Sequence, residues 1–412
     1  METTQSPSYP KKKVLINVIV LRGGGGHYAT YNALRSIVEQ QQLPWDLRVT
    51  DIDEIAEREQ KKTVDVYKLF GTSAKESYDW MQKTGWTWLH LLMIRLWKLL
   101  IRLNHDVGVR ILSEYWREQQ PDLVVIAAPL YSKILLESLQ RGKPDTPVVT
   151  IITDLADYPP AFWIEPKSEN SVVCGTERAV EQARSLGVKE ELIIKTSGMV
   201  IHPRFYEPIA CDRRRERQNL GLDPECFTGL VLFGANGSQV MLEIAKRLEC
   251  FQQKLQLIFI CGRNEELALA LRQSQGLQKR FVTGYTQDIP YYMHLADFFI
   301  GKPGPGCISE ALAMKLPVIL ERNAATLPQE QYNTDWIQQK EVGLVLPSFR
   351  NIARAVEKFL QPENFGRYRA NVAAVNNRAV FEIPDILHKI LATSYKITVT
   401  DRGSNSDESR PC

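Results

Sequence analysis

Asp297-Phe298-Phe299-Ile300-Gly301-Lys302-Pro303-Gly304-Pro305-Gly306-Cys307-Ile308-Ser309-Glu310 is the stretch from which the fold of this chain is read. It opens as a short apolar run of strand type. Three glycines and two prolines then make a rigid turn, and a helical pattern begins behind it. Such a turn brings backbone N–H groups and the positive end of a helix to one point, where a diphosphate is the natural occupant. Glu310 falls one helical turn in, placed for its carboxylate to accept from two ribose hydroxyls. Without a ligand it is a first-turn acid favoured by the helix dipole.

Working outward, the same strand-turn-helix form recurs. Phe233-Gly234-Ala235-Asn236-Gly237-Ser238 opens the second half, and Arg22-Gly23-Gly24-Gly25-Gly26-His27 follows the first apolar run. Glycines permit positive φ and close approach of backbone to a ligand. Neither loop has G-x-G-x-x-G spacing. Asp51 or Asp53 is available as a ribose acid, so a nicotinamide-dependent oxidoreductase stays open. Apolar runs at 14–21, 47–52, 123–128, 148–152, 171–174 and 192–196 read as one series of strands. Runs at 230–233, 257–261, 280–282, 297–300, 317–320 and 343–346 read as a second. Most are separated by enough chain for a crossover helix, the pattern of doubly wound parallel sheets. Between the series, 199–227 carries Pro203, Pro208, Pro224 and the charge run 212–217, which is linker composition. The reading is therefore α/β, with two Rossmann-like domains facing a central cleft: a polar tail over 1–13, an N-terminal domain over 14–204, a C-terminal domain with closing helices over 205–398, and a disordered tail over 399–412.

The 412 residues suit two domains, and a formal net charge of +3 gives no overall basic field for nucleic acid. The seven cysteines have no metal-knuckle or redox spacing, and several sit in strand-like runs, as reduced buried thiols do. Lys11-Lys12-Lys13 before an apolar run imitates a signal peptide, but the run is short and enters the glycine turn, which fits a buried first strand better. No apolar stretch is long enough to span a bilayer. The six histidines form no close pair, and Asp51-Ile52-Asp53 has the Asp-x-Asp form of a metal site but sits at a strand end. No metal or cofactor is expected.

The glycine loops in both halves and the string 301–310 resemble the GT-B glycosyltransferases. Closer is the monogalactosyldiacylglycerol synthase family, with the peptidoglycan lipid glycosyltransferase MurG more distant. The resemblance spans about 14–390. It rests on Gly24-Gly25-Gly26-His27, Thr153-Asp154-Leu155, Cys261-Gly262-Arg263-Asn264, Lys302 with Gly304-Pro305-Gly306, Ser309-Glu310-Ala311, and Gln329-Glu330 with Asn333. It implies His27 as catalytic base and Gly24, Gly25 and Gly26 as the loop before it. It implies a donor site of Gly234, Asn236, Gly262, Arg263, Lys302, Gly304, Gly306, Ser309 and Glu310, with Gln329 and Glu330 near the sugar. The family places an aspartate shortly before the first loop, where this chain has Leu21, Arg22 and Gly23. Asp154, at the end of a neighbouring strand, is the expected replacement for orienting His27.

Residues 85–103 are rich in Trp86, Trp88, Trp97, leucine and isoleucine, with Arg95, Lys98 and Arg102 recurring at three and four. A broad apolar face beside a basic strip suits a helix lying in an anionic membrane interface. The same pattern also suits a buried helix whose cations reach water. The family has a bilayer-facing insertion at this place. Together these readings point to an inverting transferase moving galactose or glucose from a UDP-sugar to diacylglycerol. It would be a peripheral protein on a cytoplasmic-side membrane face, with oligomeric state open. Another membrane lipid as acceptor, or nucleotide-sugar binding without turnover, are the alternatives.

Overall fold

The computed structural model describes residues 13–21, 25–52, 54–55, 90–274, 276–324 and 326–404. All twelve strand-type runs form strands. β1 (Val14–Val20), β2 (Trp45–Asp51), β3 (Leu123–Ile126), β4 (Val148–Ile151), β5 (Ser171–Cys174) and β6 (Ile193–Lys195) make one sheet, in the order β2-β1-β3-β4-β5-β6. β7 (Phe227–Leu232), β8 (Leu255–Ile260), β9 (Arg280–Thr283), β10 (Phe298–Gly301), β11 (Val318–Glu321) and β12 (Gly343–Leu346) make the other, in the order β12-β11-β10-β7-β8-β9. Neighbouring strands are parallel throughout.

The strands are near-continuously apolar because both faces of each sheet are covered. On β1, Ile16, Val18 and Val20 pack with Ala33, Leu34 and Ile37 of helix Gly25–Gln40, while Ile19 meets Leu112 and Trp116 of helix His105–Gln119 on the opposite face. In the second sheet, Phe298 and Ile300 face Leu248 and Leu271. Phe299 faces the other way, toward Ile308 and Leu312 of helix Pro305–Ala313. This is the two-domain GT-B architecture. Strand order reverses between β1 and β3 in the first sheet and between β7 and β10 in the second. In open parallel sheets, ligands sit at such reversals, beyond the carboxyl ends of the strands.

Two segments depart from the sequence reading. The charge run at 212–217 is not linker but helix Arg213–Asn219, capped by Asp212, whose carboxylate accepts from the backbone N–H of Arg214 and Arg215 at 2.9 and 3.3 Å. Arg217 is buried, and it and Arg213 donate to Asp297, just before β10, at 2.8 and 2.7 Å. The last helix, Ala379–Ser404, does not close the second unit. Val380, Ile383, Leu387 and Leu391 enter the core of the first sheet, so the chain crosses back after residue 375. That helix runs past 399, where polar composition predicts a disordered tail. Asn377 donates to the carbonyl of Met199 at 2.9 Å, tying the returning strand of chain to the outgoing one.

Candidate active site between the two sheets

A cavity of about 1420 Å³ lies between the two units, walled by loops at the carboxyl ends of strands in both sheets. The first wall begins at the start of helix Gly25–Gln40, where Gly26 and His27 line the cavity and a Cβ on Gly26 would meet nothing within 4 Å. Gly25 is the helix's first residue. Gly24 lies outside the described residues. Burial pushes the His27 imidazole down to about 4, so it is neutral near pH 7. Among the described residues its Nδ1 is buried without a hydrogen-bond partner.

Thr153 and Asp154 follow β4 and reach the same cavity. Asp154 is expected to orient His27 directly, but among the described residues no hydrogen bond joins the two. Trp163, fully buried, touches both. Its indole N–H donates to Asp154 Oδ2 at 2.8 Å, and its ring meets the His27 ring edge-on with centroids 5.6 Å apart. Burial raises the Asp154 carboxyl to about 7, against the Trp163 hydrogen bond, which pulls it down. Trp163 is held in turn by Asp157, whose carboxylate accepts the backbone N–H groups of Ala161, Phe162 and Trp163 at 3.0, 2.9 and 2.7 Å. No sequence signal marks Trp163 or Asp157 beyond an aromatic and an acid in a proline-containing loop.

The second wall is built by the two glycine loops flanking the reversal in the second sheet. Gly234 (φ 73°) and Gly237 (φ 61°) take left-handed backbone, and Gly234, Asn236 and Gly237 line the cavity. Gly262 (φ 60°) lies so close to this loop that a Cβ would stand 2.1 Å from the carbonyl oxygen of Ala235. Gly262 therefore locks the loops together rather than lining the cavity. Arg263 is exposed over the Tyr285 ring, 5.2 Å from its centroid, and is likewise outside the lining; Asn264 and Tyr285 are inside it.

After β10, Lys302, Gly304, Gly306, Cys307 and Glu310 line the cavity. Gly304 caps helix Pro305–Ala313 in extended backbone, which turns the helix N-terminus toward the space. A Cβ on Gly306 would meet nothing within 4 Å. Ser309 is buried and lies outside the lining. Glu310 is inside it, its carboxyl raised to about 7 by burial and pulled the other way by Arg204. Gln329 and Glu330 join from the first turn of helix Pro328–Lys340. Glu330 pairs with Lys302 at 3.6 Å, and Asn333 donates to the carbonyl of Pro303 at 2.8 Å, bracing the glycine-proline turn. Asp51 ends β2, buried and accepting from the Tyr28 hydroxyl at 2.9 Å; Asp53 lies outside the described residues.

The third wall is helix His90–Leu103, whose Ile94, Trp97 and Ile101 face the cavity. Trp97 is thus turned into the cleft, not outward as its pattern suggests. Lys98 also leaves the expected basic strip. Its ammonium donates to the carbonyls of Pro160 and Ala161 at 3.2 and 3.0 Å. Arg95 and Arg102 are exposed. So are Leu92, Leu96, Leu99 and Leu103, at 64, 41, 51 and 71% of their full surface, which form one stripe at i, i+4, i+7 and i+11. Trp86 and Trp88 lie outside the described residues. Among those described, no helix is long and apolar enough to cross a membrane.

This arrangement has counterparts among known proteins. Residues 29–201 match the family model of monogalactosyldiacylglycerol (MGDG) synthase, and residues 230–375 match the glycosyltransferase family 28 C-terminal domain. A probable monogalactosyldiacylglycerol synthase 2, chloroplastic, of Oryza sativa subsp. japonica is 27% identical over 401 residues, covering 91% of this chain and 80% of the relative. A processive diacylglycerol beta-glucosyltransferase of Staphylococcus carnosus is 30% identical over 253 residues, covering 60% of this chain and 61% of the relative. The crystal structure of Acinetobacter baumannii MurG superposes with a TM-score of 0.60 at 10% identity, covering 91% of this chain and 99% of that one.

Proposed function

We propose that this chain, a glycosyltransferase whose two halves belong to the monogalactosyldiacylglycerol synthase and family 28 families, transfers galactose or glucose from a UDP-sugar to diacylglycerol at a membrane surface. One observation carries the reading: a neutral histidine from the first unit and a glycine-turn helix N-terminus with a carboxylate one turn in, from the second, face a single cavity. The names of the relatives supply the acceptor and divide over the sugar.

The chemistry follows from those groups. The helix N-terminus at Pro305 offers free backbone N–H groups to the donor's diphosphate. Glu310 accepts from the ribose hydroxyls, and Gln329 and Glu330 face the hexose. The acceptor hydroxyl attacks the anomeric carbon opposite the diphosphate, and the configuration inverts. The new bond joins acceptor oxygen to the anomeric carbon; the bond to the diphosphate oxygen breaks, and UDP leaves with that electron pair. The hydroxyl proton passes to the neutral imidazole of His27. Burial keeps this imidazole unprotonated at neutral pH, so a nitrogen lone pair is available to the proton, which then passes to water. The leaving charge is stabilised by preorganised donors, without a metal ion.

The exposed leucine stripe beside Arg95 and Arg102 suits an interfacial helix. The other face of the same helix lines the cavity, so a lipid acceptor reaches the sugar along it. The test is transfer of labelled sugar from UDP-galactose and UDP-glucose into liposomes containing diacylglycerol. Labelled glycolipid that His27→Ala abolishes supports the reading. No product from a protein shown to bind UDP overturns it.

A further inference from the structure

We propose that Arg204, on the segment joining the two units, grips the donor diphosphate and neutralises the charge that develops on it. This rests on the UDP-sugar reading above. The donor site expected from the family resemblance holds two other cations, Lys302 and Arg263. Arg263 lies outside the cavity, and Lys302 is already paired with Glu330 at 3.6 Å.

Three Arg or Lys side chains line the cavity among the described residues: Arg35, Arg204 and Lys302. Arg35 is paired with Glu39 at 2.8 Å. Arg204 alone of these has no carboxylate within ion-pair distance among the described residues. Its guanidinium lies over the Phe205 ring, 5.3 Å from the centroid, and its Nε is buried with no hydrogen-bond partner. A guanidinium without a carboxylate partner keeps its outer N–H groups for phosphate, whose oxygens they match in geometry.

Its position suits that ligand. Arg204 sits in the 3-10 turn Pro203–Phe205, whose backbone is pinned by the His202 imidazole accepting the Arg204 N–H at 3.3 Å. It is near enough to Glu310 to bias that carboxyl electrostatically. If Glu310 holds the ribose, the α-phosphate lies one methylene away, toward the Gly304–Gly306 turn. A cation that lines the same cavity as Glu310 and the Gly304–Gly306 turn is therefore placed to meet the diphosphate. Arg204 comes from neither glycine loop, and it lies on the joint across which the units are connected.

The test is calorimetric binding of UDP and of uridine to the full chain, with Arg204→Met and Arg204→Lys. Arg204→Met keeps the apolar contact with Phe205 and removes the charge. It is expected to weaken UDP about tenfold or more and uridine less than about twofold. Arg204→Lys restores part of the UDP affinity, since it keeps the charge and loses the fork. Added salt weakens UDP binding more steeply in the parent chain than in Arg204→Met. Uridine affinity reports whether each variant is folded around the site. Equal losses for UDP and uridine, or no loss for either, overturn the proposal while the UDP-sugar reading stands. A parent chain that binds neither ligand overturns that reading and this proposal with it.

Discussion

The indole N–H of Trp163 donates to Asp154 Oδ2 at 2.8 Å while its ring meets the His27 imidazole edge-on, so the tryptophan is the physical link between the acid and the base. Trp163→Phe keeps an aromatic ring, though a smaller one, and deletes the donor. Burial raises Asp154 and this hydrogen bond opposes it, so the variant's Asp154 is expected to titrate higher than about 7. Carboxyl-carbon NMR against pH checks it. If His27 is positioned through Trp163, turnover falls about tenfold or more while UDP affinity is kept. An unchanged turnover would show that Asp154 and Trp163 only hold the loop together.

The buried titratable groups predict how the ligand-free protein responds to pH. Asp154 and Glu310 ionise at about 7 when folded, above ordinary values of 3.8 and 4.5. The folded state then binds more protons than the unfolded chain between those limits, so these two contributions are lost as pH rises toward 7. His27 has the opposite sign. It is held at about 4, below 6.5, so its burial costs stability at low pH and stops costing as pH rises past 6.5. Glu310→Gln removes one falling contribution. Its Tm profile should therefore drop less than the parent's between about pH 5 and 7; parallel profiles would contradict the assignment. UDP affinity should also rise through pH 7 in the parent, as the ribose-binding carboxylate ionises, and lose that dependence in Glu310→Gln.

Two glycines separate a folding requirement from a binding requirement. At Gly262 the backbone is left-handed and an added Cβ strikes the Ala235 carbonyl at 2.1 Å. Gly262→Ala is expected to cost more than about 1–2 kcal/mol, the left-handed backbone penalty alone, seen as a lower Tm. At Gly306 an added Cβ meets open space. Gly306→Ala should keep or raise Tm, since alanine favours the helix more by up to about 1 kcal/mol. The methyl would stand in the cavity where the diphosphate is proposed to approach the helix N-terminus, so UDP binding should weaken. Intact UDP affinity in Gly306→Ala would move the diphosphate elsewhere.

These residues also mark how far sequence carries. Strands were legible because burial on both faces leaves an apolar run that needs no partner to be seen. The glycine turns were legible because positive φ and close approach restrict residue type locally. Pairings across the chain were not. Asp212–Arg217 reads as linker, since nothing local shows that Arg213 and Arg217 grip Asp297. The sequence reading expects closing helices before 398, but nothing local says that the first sheet covers the apolar residues from Val380 to Leu391. Arg263 belongs to a family-like string, yet the fold turns it over Tyr285 and leaves Arg204, flanked by proline and phenylalanine, facing the cavity.

Helix His90–Leu103 presents opposite apolar faces with different expected roles, and they can be tested apart. Ile94, Trp97 and Ile101 face the cavity, while Leu92, Leu96, Leu99 and Leu103 face outward beside Arg95 and Arg102. Burying a leucine in the interfacial region is worth about 1.5–3 kcal/mol at full burial, and a basic residue near an anionic surface about 1 kcal/mol. Replacing the four leucines with glutamine is therefore expected to reduce co-sedimentation with anionic liposomes by at least about tenfold, since even partial burial of four side chains exceeds 1.4 kcal/mol. Added salt should weaken the parent's binding further through Arg95 and Arg102. Trp97→Ala should leave co-sedimentation unchanged and lower turnover on the lipid acceptor, because it alters the cavity wall and not the outer stripe. If Trp97→Ala releases the protein from liposomes while the leucine variant stays bound, the faces have been assigned the wrong way round.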